Sequence, residues 1–215
     1  MVTRLDFAEP FFTVDYLEDE ASYRVEKWSM VINLAERAGS VLYVRTMPVL
    51  PLRSTVCSGV TLNNIKKALV VVDFLRTDLN DIATIKAIKS TWPSLYDMSG
   101  LERHKGLPYY KSPKFRTGEG RDHMELNFCF VSEPNCPSGP HLDHDRPIDE
   151  VHAIIRGTAK MRVFETNDVA TLYQELNLRE GNVHDKMYDE NGVYPWHDFC
   201  SVTPCVYCPI ELDRQ

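Results

Sequence analysis

Apolar and polar positions follow different periods in the two halves of the chain. In the N-terminal part, apolar residues recur every three or four positions, which is typical of amphipathic helices. From Thr13 to a stop at Gly39, acidic residues come first and suit the positive end of a helix. The apolar face of this helix would consist of Tyr23, Trp28, Val31, Ile32 and Leu34. The pattern predicts a helix whose role is packing.

Three further segments lie before residue 100. Residues 40–52, SVLYVRTMPVLPL, predict a strand whose two prolines limit its pairing to an edge or an end. Residues 61–77 are ambiguous, because a helix-like beginning is followed by three valines that favour a strand, and we expect a helix. Residues 78–90, DLNDIATIKAIKS, predict a helix with apolar positions at spacings of three, and Pro93 ends it or opens a short helical turn.

From Met124 the pattern changes to short β-like runs, which are MELNFCFVS, EVHAIIRG, TAKMRVFE, TLYQELNL and FCSVTPCVYCPIEL. Several short strands at this spacing predict an antiparallel sandwich or barrel. Residues 102–122 are rich in Lys, Arg, Gly and Pro and mark the predicted boundary. We therefore expect an α+β, β-dominated fold, with a mainly helical N-terminal extension at residues 1–104 packed on an antiparallel β-barrel at residues 105–215.

Composition restricts the classes of function. The 215 residues carry a formal net charge of −7 and no basic stripe, so nucleic acid and anionic membranes are poor partners. No apolar run reaches the roughly 18 residues of a membrane span. The N-terminus has no secretory signal, so we expect a cytoplasmic protein. Cys200, Cys205 and Cys208 lack a convincing fourth metal ligand, and we interpret them as buried small hydrophobic residues.

Histidines and carboxylates concentrate after residue 140, where five of the seven histidines lie. Imidazole and carboxylate together suit zinc, iron, nickel, copper or manganese. In a strand beginning at Glu150, the side chains of Glu150 and His152 share one face. An ionised carboxylate directed into a β core is costly unless it is paired or binds a metal. This cost is the physical reason to expect a metal here.

The spacing around Glu150 resembles the first motif of the cupin superfamily. That motif has a glycine, two histidines one residue apart, a glutamate three or four residues later, and a second glycine after six more. Glu150, the six residues VHAIIR and Gly157 match its ending. His141 and His144 are separated by two residues, and five residues separate His144 from Glu150, so it stays open whether both histidines reach the metal. We expect Gly157 to make the tight turn between adjacent strands.

The second cupin motif has a glycine, a proline-containing turn and a third histidine. Residues 180–199 offer Gly181, Pro195 and His197 at a wider spacing than usual, and His184 is the alternative to His197. Over roughly residues 105–215, the resemblance implies a cupin-like jelly-roll barrel with one divalent metal. Iron(II) is the expected metal, with zinc, manganese and nickel as alternatives. The metal ligands that the resemblance implies are His141, His144, Glu150 and His197.

Other residues near these ligands receive roles from the same resemblance. We expect His152 and Tyr194 to be catalytic, with His152 acting in hydrogen bonding or acid–base chemistry. Arg162, Trp196 and His184 are expected to bind the substrate, and Arg162 suits an acidic one. Each assignment has a structural alternative. Glu150 could pair with Arg156 or Arg162, and the histidines could be loop residues or hydrogen-bonded structural ones.

Two functions remain open from the sequence. The first is a metal-dependent cupin enzyme acting on a small polar metabolite, with an iron(II) and dioxygen-dependent oxygenase ahead of a lyase or isomerase. The second is a non-catalytic metabolite-binding cupin. A homodimer is compatible with either, because edge strands of such barrels can pair between subunits. The N-terminal hundred residues could pack helices against the barrel or form a second, degenerate β half.

Overall fold

The computed structural model describes residues 1–118, 123–142, 147–188 and 191–213. By contacts, the chain divides into two compact units: residues 1–78 with 181–183, and residues 79–180 with 184–215. The predicted boundary between residues 104 and 105 stays a prediction. Call the strands of the first unit β1 (Val2–Leu5), β2 (Thr13–Val25), β3 (Ser29–Asn33), β4 (Leu42–Val44), β5 (Met47–Val49), β6 (Ser54–Cys57) and β7 (Val60–Val72).

The first unit is an antiparallel sheet rather than a helical extension. Its strands follow the order β1-β2-β7-β3-β6, with β4 pairing to both β5 and β7. A 3-10 helix, Phe74–Arg76, follows β7. One cluster of buried apolar residues, including Leu17, Val31, Leu62 and Val70, packs on this sheet. The alternative of an N-terminal β half is therefore the one that the structure supports, although nothing in its pairing identifies a second site.

The predicted helix between Thr13 and Gly39 was wrong, because its acidic residues serve cross-strand pairs. Arg4 and Asp15 lie directly opposite each other on β1 and β2, with 2.5 Å between Nε and Oδ1. The Tyr23 hydroxyl also donates to Asp15, at 2.6 Å. Trp28, which was expected on the apolar face of the helix, is 56% exposed in the link between β2 and β3. Local propensity carries no information about partners on a neighbouring strand.

The helix expected at residues 61–77 was also wrong. Its segment forms β7, a 13-residue strand that pairs with β2, β3 and β4. Leu69, Val70 and Val71 are fully buried, so β-branched residues pack on both faces of a central strand. The strand predicted at residues 40–52 is present as the short β4–β5 pair.

The second unit begins with the helix that the sequence predicted. Helix α1 (Ile82–Thr91) is capped by Asp81, whose carboxylate accepts from the backbone N–H groups of Ala83 and Thr84. Helix α2 (Leu95–Ser99) follows, with 3-10 helices at Glu102–His104 and Val169–Thr171. The strands of the second unit are β8 (Tyr109–Lys111), β9 (Phe115–Thr117), β10 (Met124–Leu126), β11 (Cys129–Val131), β12 (Ile148–Arg156), β13 (Thr158–Phe164), β14 (Leu172–Arg179), β15 (Trp196–Ser201) and β16 (Cys205–Asp213).

These strands form two antiparallel sheets with a shared apolar core. The larger has the order β8-β11-β16-β10-β9 with β12 also on β16, and the smaller has the order β14-β13-β15. Ile154 of the larger sheet and Met161 and Phe199 of the smaller belong to one buried cluster. The predicted β-dominated, antiparallel second half is confirmed as two antiparallel sheets. Barrel closure stays a prediction.

Gly157 has a different role from the one expected. It connects β12 to β13, but those strands belong to different sheets, so it forms a corner between sheets rather than a hairpin turn. Its φ of +82° lies in the left-handed region. A Cβ at this position would lie 2.4 Å from the carbonyl oxygen of Pro204 and 2.8 Å from the Cβ of Cys205. Only glycine fits both the dihedral angle and the space.

The cysteines of β15 and β16 fit the interpretation as packing residues. Cys205 and Cys208 are buried, and burial raises the pKa of both thiols well above the ordinary value. Cys200 is partly buried and, like them, is a free thiol. None of the helices among the described residues combines the length and the apolar character that a membrane crossing requires.

Candidate metal and substrate site

A cavity of about 330 Å³ opens between the two sheets of the second unit. Its wall combines charged and polar groups with aromatic rings. Phe199 of β15 and Tyr207 of β16 both line it and stack on each other, with ring centroids 3.9 Å apart. The residues that line it include Leu95, Met98, Arg103, His104, Tyr109, Lys111, Lys114, His141, Ile148, Glu150, His152, Met161, His197, Phe199, Tyr207 and Glu211.

Strand β12 carries the first two functional side chains. Ile148, Glu150 and His152 all line the cavity, as the two-residue period of a strand requires. Glu150 is 8% exposed and His152 is 4% exposed. The Nε2 of His152 lies 3.5 Å from Oε2 of Glu150. A carboxylate and an imidazole are therefore held side by side within the core.

His197 reaches the same carboxylate from the other sheet. Its Nε2 lies 3.9 Å from Oε2 of Glu150, and its side chain is almost completely buried. His141 joins His197 through a β-bridge with two backbone hydrogen bonds, of 2.9 and 3.2 Å. The two imidazole rings are 4.6 Å apart between centroids. Backbone pairing thus brings together two histidines that are 56 positions apart in the sequence.

The tautomers of His141 and His197 follow from their hydrogen bonds. The Nδ1 of His141 lies 2.9 Å from the carbonyl oxygen of Gly139, and that of His197 lies 3.0 Å from the carbonyl oxygen of Pro195. A carbonyl oxygen only accepts, so each Nδ1 is the protonated nitrogen and donates. The lone pair of each ring is consequently on Nε2, which is the arrangement of metal-binding histidines.

His184 fixes the third imidazole. Its Nε2 accepts from the backbone N–H of His152 at 3.0 Å, and its Nδ1 donates to the carbonyl of Asp185 at 2.6 Å. Since this Nε2 is an acceptor, the Nδ1 of His152 at 2.9 Å must also donate to it. His152 therefore presents its own Nε2 lone pair towards Glu150. Burial lowers the pKa of His152 to about 3 and also lowers that of His184, which keeps both rings neutral.

The structure separates the other predicted residues. Tyr194 is buried behind the site, where its hydroxyl donates to the backbone carbonyl of Glu150 at 3.3 Å and its ring contacts His197 edge-on. Trp196 and His184 do not line the cavity. His144 lies outside the described residues. Of the predicted metal ligands, the structure brings together His141, Glu150 and His197, and it adds His152.

Neither arginine that could have neutralised Glu150 is directed at it. Arg162 forms a two-point ion pair with Asp198, at 2.8 and 2.5 Å, and does not line the cavity. Arg156 pairs with Glu180 at 3.0 Å. The purely structural alternative for Glu150 therefore loses both of its proposed partners, and the predicted role of Arg162 in substrate binding has no support from its position.

Sequence reasoning missed a group of charges along the cavity. Lys114 Nζ lies 2.7 Å from Glu125 and 3.1 Å from Glu211, and Arg116 lies 2.6 Å from Glu125. Glu211 is directly opposite Glu150 across β12 and β16. No local pattern predicts this group, because the pairing of a lysine or arginine with a distant glutamate can be predicted only when the strand register is known.

Replacing Lys114 with Met should lower the free energy of unfolding by about 2–3 kcal/mol, because it removes a cation that pairs with two largely buried carboxylates, Glu125 and Glu211. The value is at the low end because 29% of the Lys114 side chain is exposed and Arg116 still pairs with Glu125. The matched control is Lys160→Met, which removes a pair with Glu175, a carboxylate that is 37% exposed against 11% for Glu211, and should cost less than about 1 kcal/mol. Urea unfolding measures both variants, and equal losses would contradict the distinction.

The donor atoms are of the kinds that bind a metal, but they lie farther apart than the ligands of a bound metal. In the described parts of the chain, no group of three or more His, Cys, Asp or Glu side chains is placed so that it could hold a metal ion. The separations from the carboxylate of Glu150, 3.5 and 3.9 Å, exceed the roughly 3 Å expected between adjacent ligands of an octahedral metal bonded at about 2.0–2.2 Å. Side-chain shifts of less than about 1 Å would close them. Three imidazoles with Nε2 lone pairs and one carboxylate are the donors that such a shift would gather.

Comparison with known proteins gives structural neighbours only. No family model and no curated protein sequence matches the chain. A cupin protein from Desulfovibrio desulfuricans, described as RmlC-like, is 10% identical, with a TM-score of 0.32 over 46% of this chain and 80% of its own. A cupin 2 conserved barrel domain protein from Leptotrichia buccalis is 8% identical, with a TM-score of 0.36 over 100% and 88%.

A third neighbour is an oxalate oxidase solved with the substrate analogue glycolate. It is 14% identical, with a TM-score of 0.35 over 56% of this chain and 57% of its own. Two of these solved structures are described as cupin proteins. At these identities and scores the likeness carries no information about activity, so the residues themselves must support any function.

Proposed function

We propose that the second unit is a metal-dependent, cupin-type enzyme that acts on a small polar molecule. In this proposal, one divalent metal is held by His141, Glu150, His152 and His197. The observation that supports it most strongly is the tautomer that the three imidazoles share. Each has its Nδ1 engaged by a carbonyl oxygen or by His184, which places the lone pair on Nε2.

The burial of Glu150 is the second support. Transfer of an ionised carboxylate into a β core is unfavourable unless a positive charge accompanies it. Arg156 and Arg162 bind other carboxylates. His152, one of the imidazoles close to Glu150, is kept neutral by a lowered pKa and supplies no compensating charge. A divalent metal would place positive charge beside this buried carboxylate, in addition to the contacts that Glu150 makes with His152 and His197.

The roles of the surrounding residues follow from their contacts. His184 is a positioning residue, because it holds the ring of His152 through both Nδ1 and the backbone N–H. Tyr194 packs edge-on against His197 at 5.0 Å and limits its rotation. The stacked rings of Phe199 and Tyr207 exclude water from one wall. In this proposal Tyr194 orients a ligand, and its expected catalytic role stays a prediction.

Iron(II) is the metal that we propose, and a dioxygen-dependent oxygenase is the proposed subclass. Histidines with a single carboxylate and open positions suit iron(II) and its dioxygen chemistry. When bound, such a metal would act as a Lewis acid and offer positions for substrate and dioxygen. The cavity of about 330 Å³ lies at the small end of ligand pockets, which is appropriate for a metabolite.

The test is the metal content of protein purified without added metal, measured by elemental mass spectrometry in the wild type and in His197→Gln. Near-stoichiometric iron in the wild type, with most of it lost in the variant, is the expected result and would justify screening for oxygen consumption. Zinc or manganese would favour lyase or isomerase chemistry instead. A wild type that contains no metal and takes none up on reconstitution would leave a binding protein and end the enzyme proposal.

His184→Gln serves as the matched comparison for this experiment. If His184 only positions His152, its loss should reduce metal affinity by about 10–100-fold without abolishing binding. Circular dichroism of both variants establishes that they remain folded, so that metal loss is not a consequence of unfolding.

A further inference from the structure

Lys111 is one of the residues that line the cavity. It is the last residue of β8, and its side chain lies on the same face of the strand as that of Tyr109, which also lines the cavity. Tyr109 is buried and anchored, since its hydroxyl donates to the carbonyl oxygens of Cys136 at 2.8 Å and Phe199 at 3.2 Å. The strand is thus held in a fixed orientation with Lys111 directed inward.

The row of residues across the sheet relates Lys111 to the proposed metal site. Lys111 is directly opposite Cys129 on β11, and Cys129 is directly opposite Tyr207 on β16. Directly opposite residues share a face of the sheet. The ring of Tyr207 in turn contacts His152, with centroids 5.3 Å apart. Lys111 and His152 therefore stand at two ends of one wall, and a small cysteine and an aromatic ring lie between them.

Lys111 and Lys114 differ in their acidic partners. Lys114 is neutralised by Glu125 and Glu211. Within residues 1–118, 123–142, 147–188 and 191–213, no ion pair or side-chain hydrogen bond involves the ammonium of Lys111. Its field nevertheless reaches the core, because Lys111 opposes the rise that burial causes in the pKa of the Cys129 thiol.

From this geometry we propose that Lys111 binds the carboxylate of the substrate, and that the substrate is a small carboxylic acid with an apolar, flat body. The inference rests on the proposed function, because the proposed metal site defines where the reacting end of the substrate lies. An ammonium on the wall of a cavity gains most from an anion that it meets away from water. The stacked Phe199 and Tyr207 rings supply the surface for the apolar body.

The experiment compares benzoate with its neutral analogue benzamide, by calorimetric titration into the full chain. Wild-type protein should bind benzoate at least about tenfold more tightly than benzamide, because a charge-assisted hydrogen bond is formed only with the acid. Lys111→Met should remove the preference, and Lys111→Arg should keep it. Lys160→Met, a lysine outside the cavity, is the control and should behave as the wild type.

Each titration is carried out on chelator-treated protein and again after metal loading, and metal content is measured for every variant. If Lys111→Met retains its metal and loses the benzoate preference, the inference is supported. If the preference persists in Lys111→Met, or if the wild type binds neither probe or binds inorganic phosphate more tightly than benzoate, the inference is overturned. Failure of metal uptake by the wild type would overturn the proposed function separately, since the benzoate preference is still measurable without metal.

Discussion

Gly157→Ala is expected to lower the free energy of unfolding by more than about 4 kcal/mol, or to prevent folding, which places it among the most damaging single substitutions. Two effects add. A non-glycine residue in the left-handed region costs about 1–2 kcal/mol. The new Cβ would also lie 2.4 Å from the carbonyl oxygen of Pro204, and a backbone atom cannot move aside as a flexible side chain can.

Gly59→Ala provides the matched control for this prediction. Gly59 has a φ of +64°, but a Cβ there would meet nothing within 4 Å. Its substitution should therefore show the dihedral cost alone, about 1–2 kcal/mol. Urea unfolding or thermal melting of both variants gives the comparison. If Gly157→Ala loses no more stability than Gly59→Ala, Pro204 and Cys205 do not approach Gly157 closely enough to exclude a Cβ.

Glu150→Gln should reduce metal affinity by at least about 100-fold, at or beyond the upper end of the effects found for residues that merely support a ligand. The substitution keeps the shape of the side chain and removes its charge. Because the desolvation cost of a buried carboxylate is removed as well, the metal-free variant should be as stable as the metal-free wild type or more stable. Metal titration and thermal melting of chelator-treated protein measure the two effects.

The combination of results is what distinguishes a ligand from a structural carboxylate. The control Glu175→Gln changes an exposed carboxylate on β14 and should leave metal binding unchanged. Metal addition should raise the melting temperature of the wild type and of this control, since a ligand that binds only the folded state stabilises it, but not that of Glu150→Gln. A Glu150→Gln variant with unchanged metal content would remove Glu150 from the ligand set.

The second half of the fold was accessible from the sequence because its signals are local. Short β-like runs between turns predicted β10 to β16, and the two-residue period placed Glu150 and His152 on one face of β12. The same local reasoning failed in the first unit. There, Asp15 was interpreted as a helix-terminal acid, whereas its partner is Arg4 on a neighbouring strand. Whether an acidic residue favours a helix end or a cross-strand pair depends on what lies opposite it.

By itself, the sequence determined the chemistry of the candidate site: a glutamate and histidines in a β-rich segment, with glycine at the end of the strand. Tertiary structure decided which of them meet. It joined His141 to His197 through a backbone bridge, turned His152 towards Glu150 through His184, and moved Arg162 out of the cavity into a pair with Asp198. It also placed Lys111 and Lys114 on the wall. The physical reason is that strand register and sheet packing, which bring distant residues within a few ångströms, leave no local pattern in the chain.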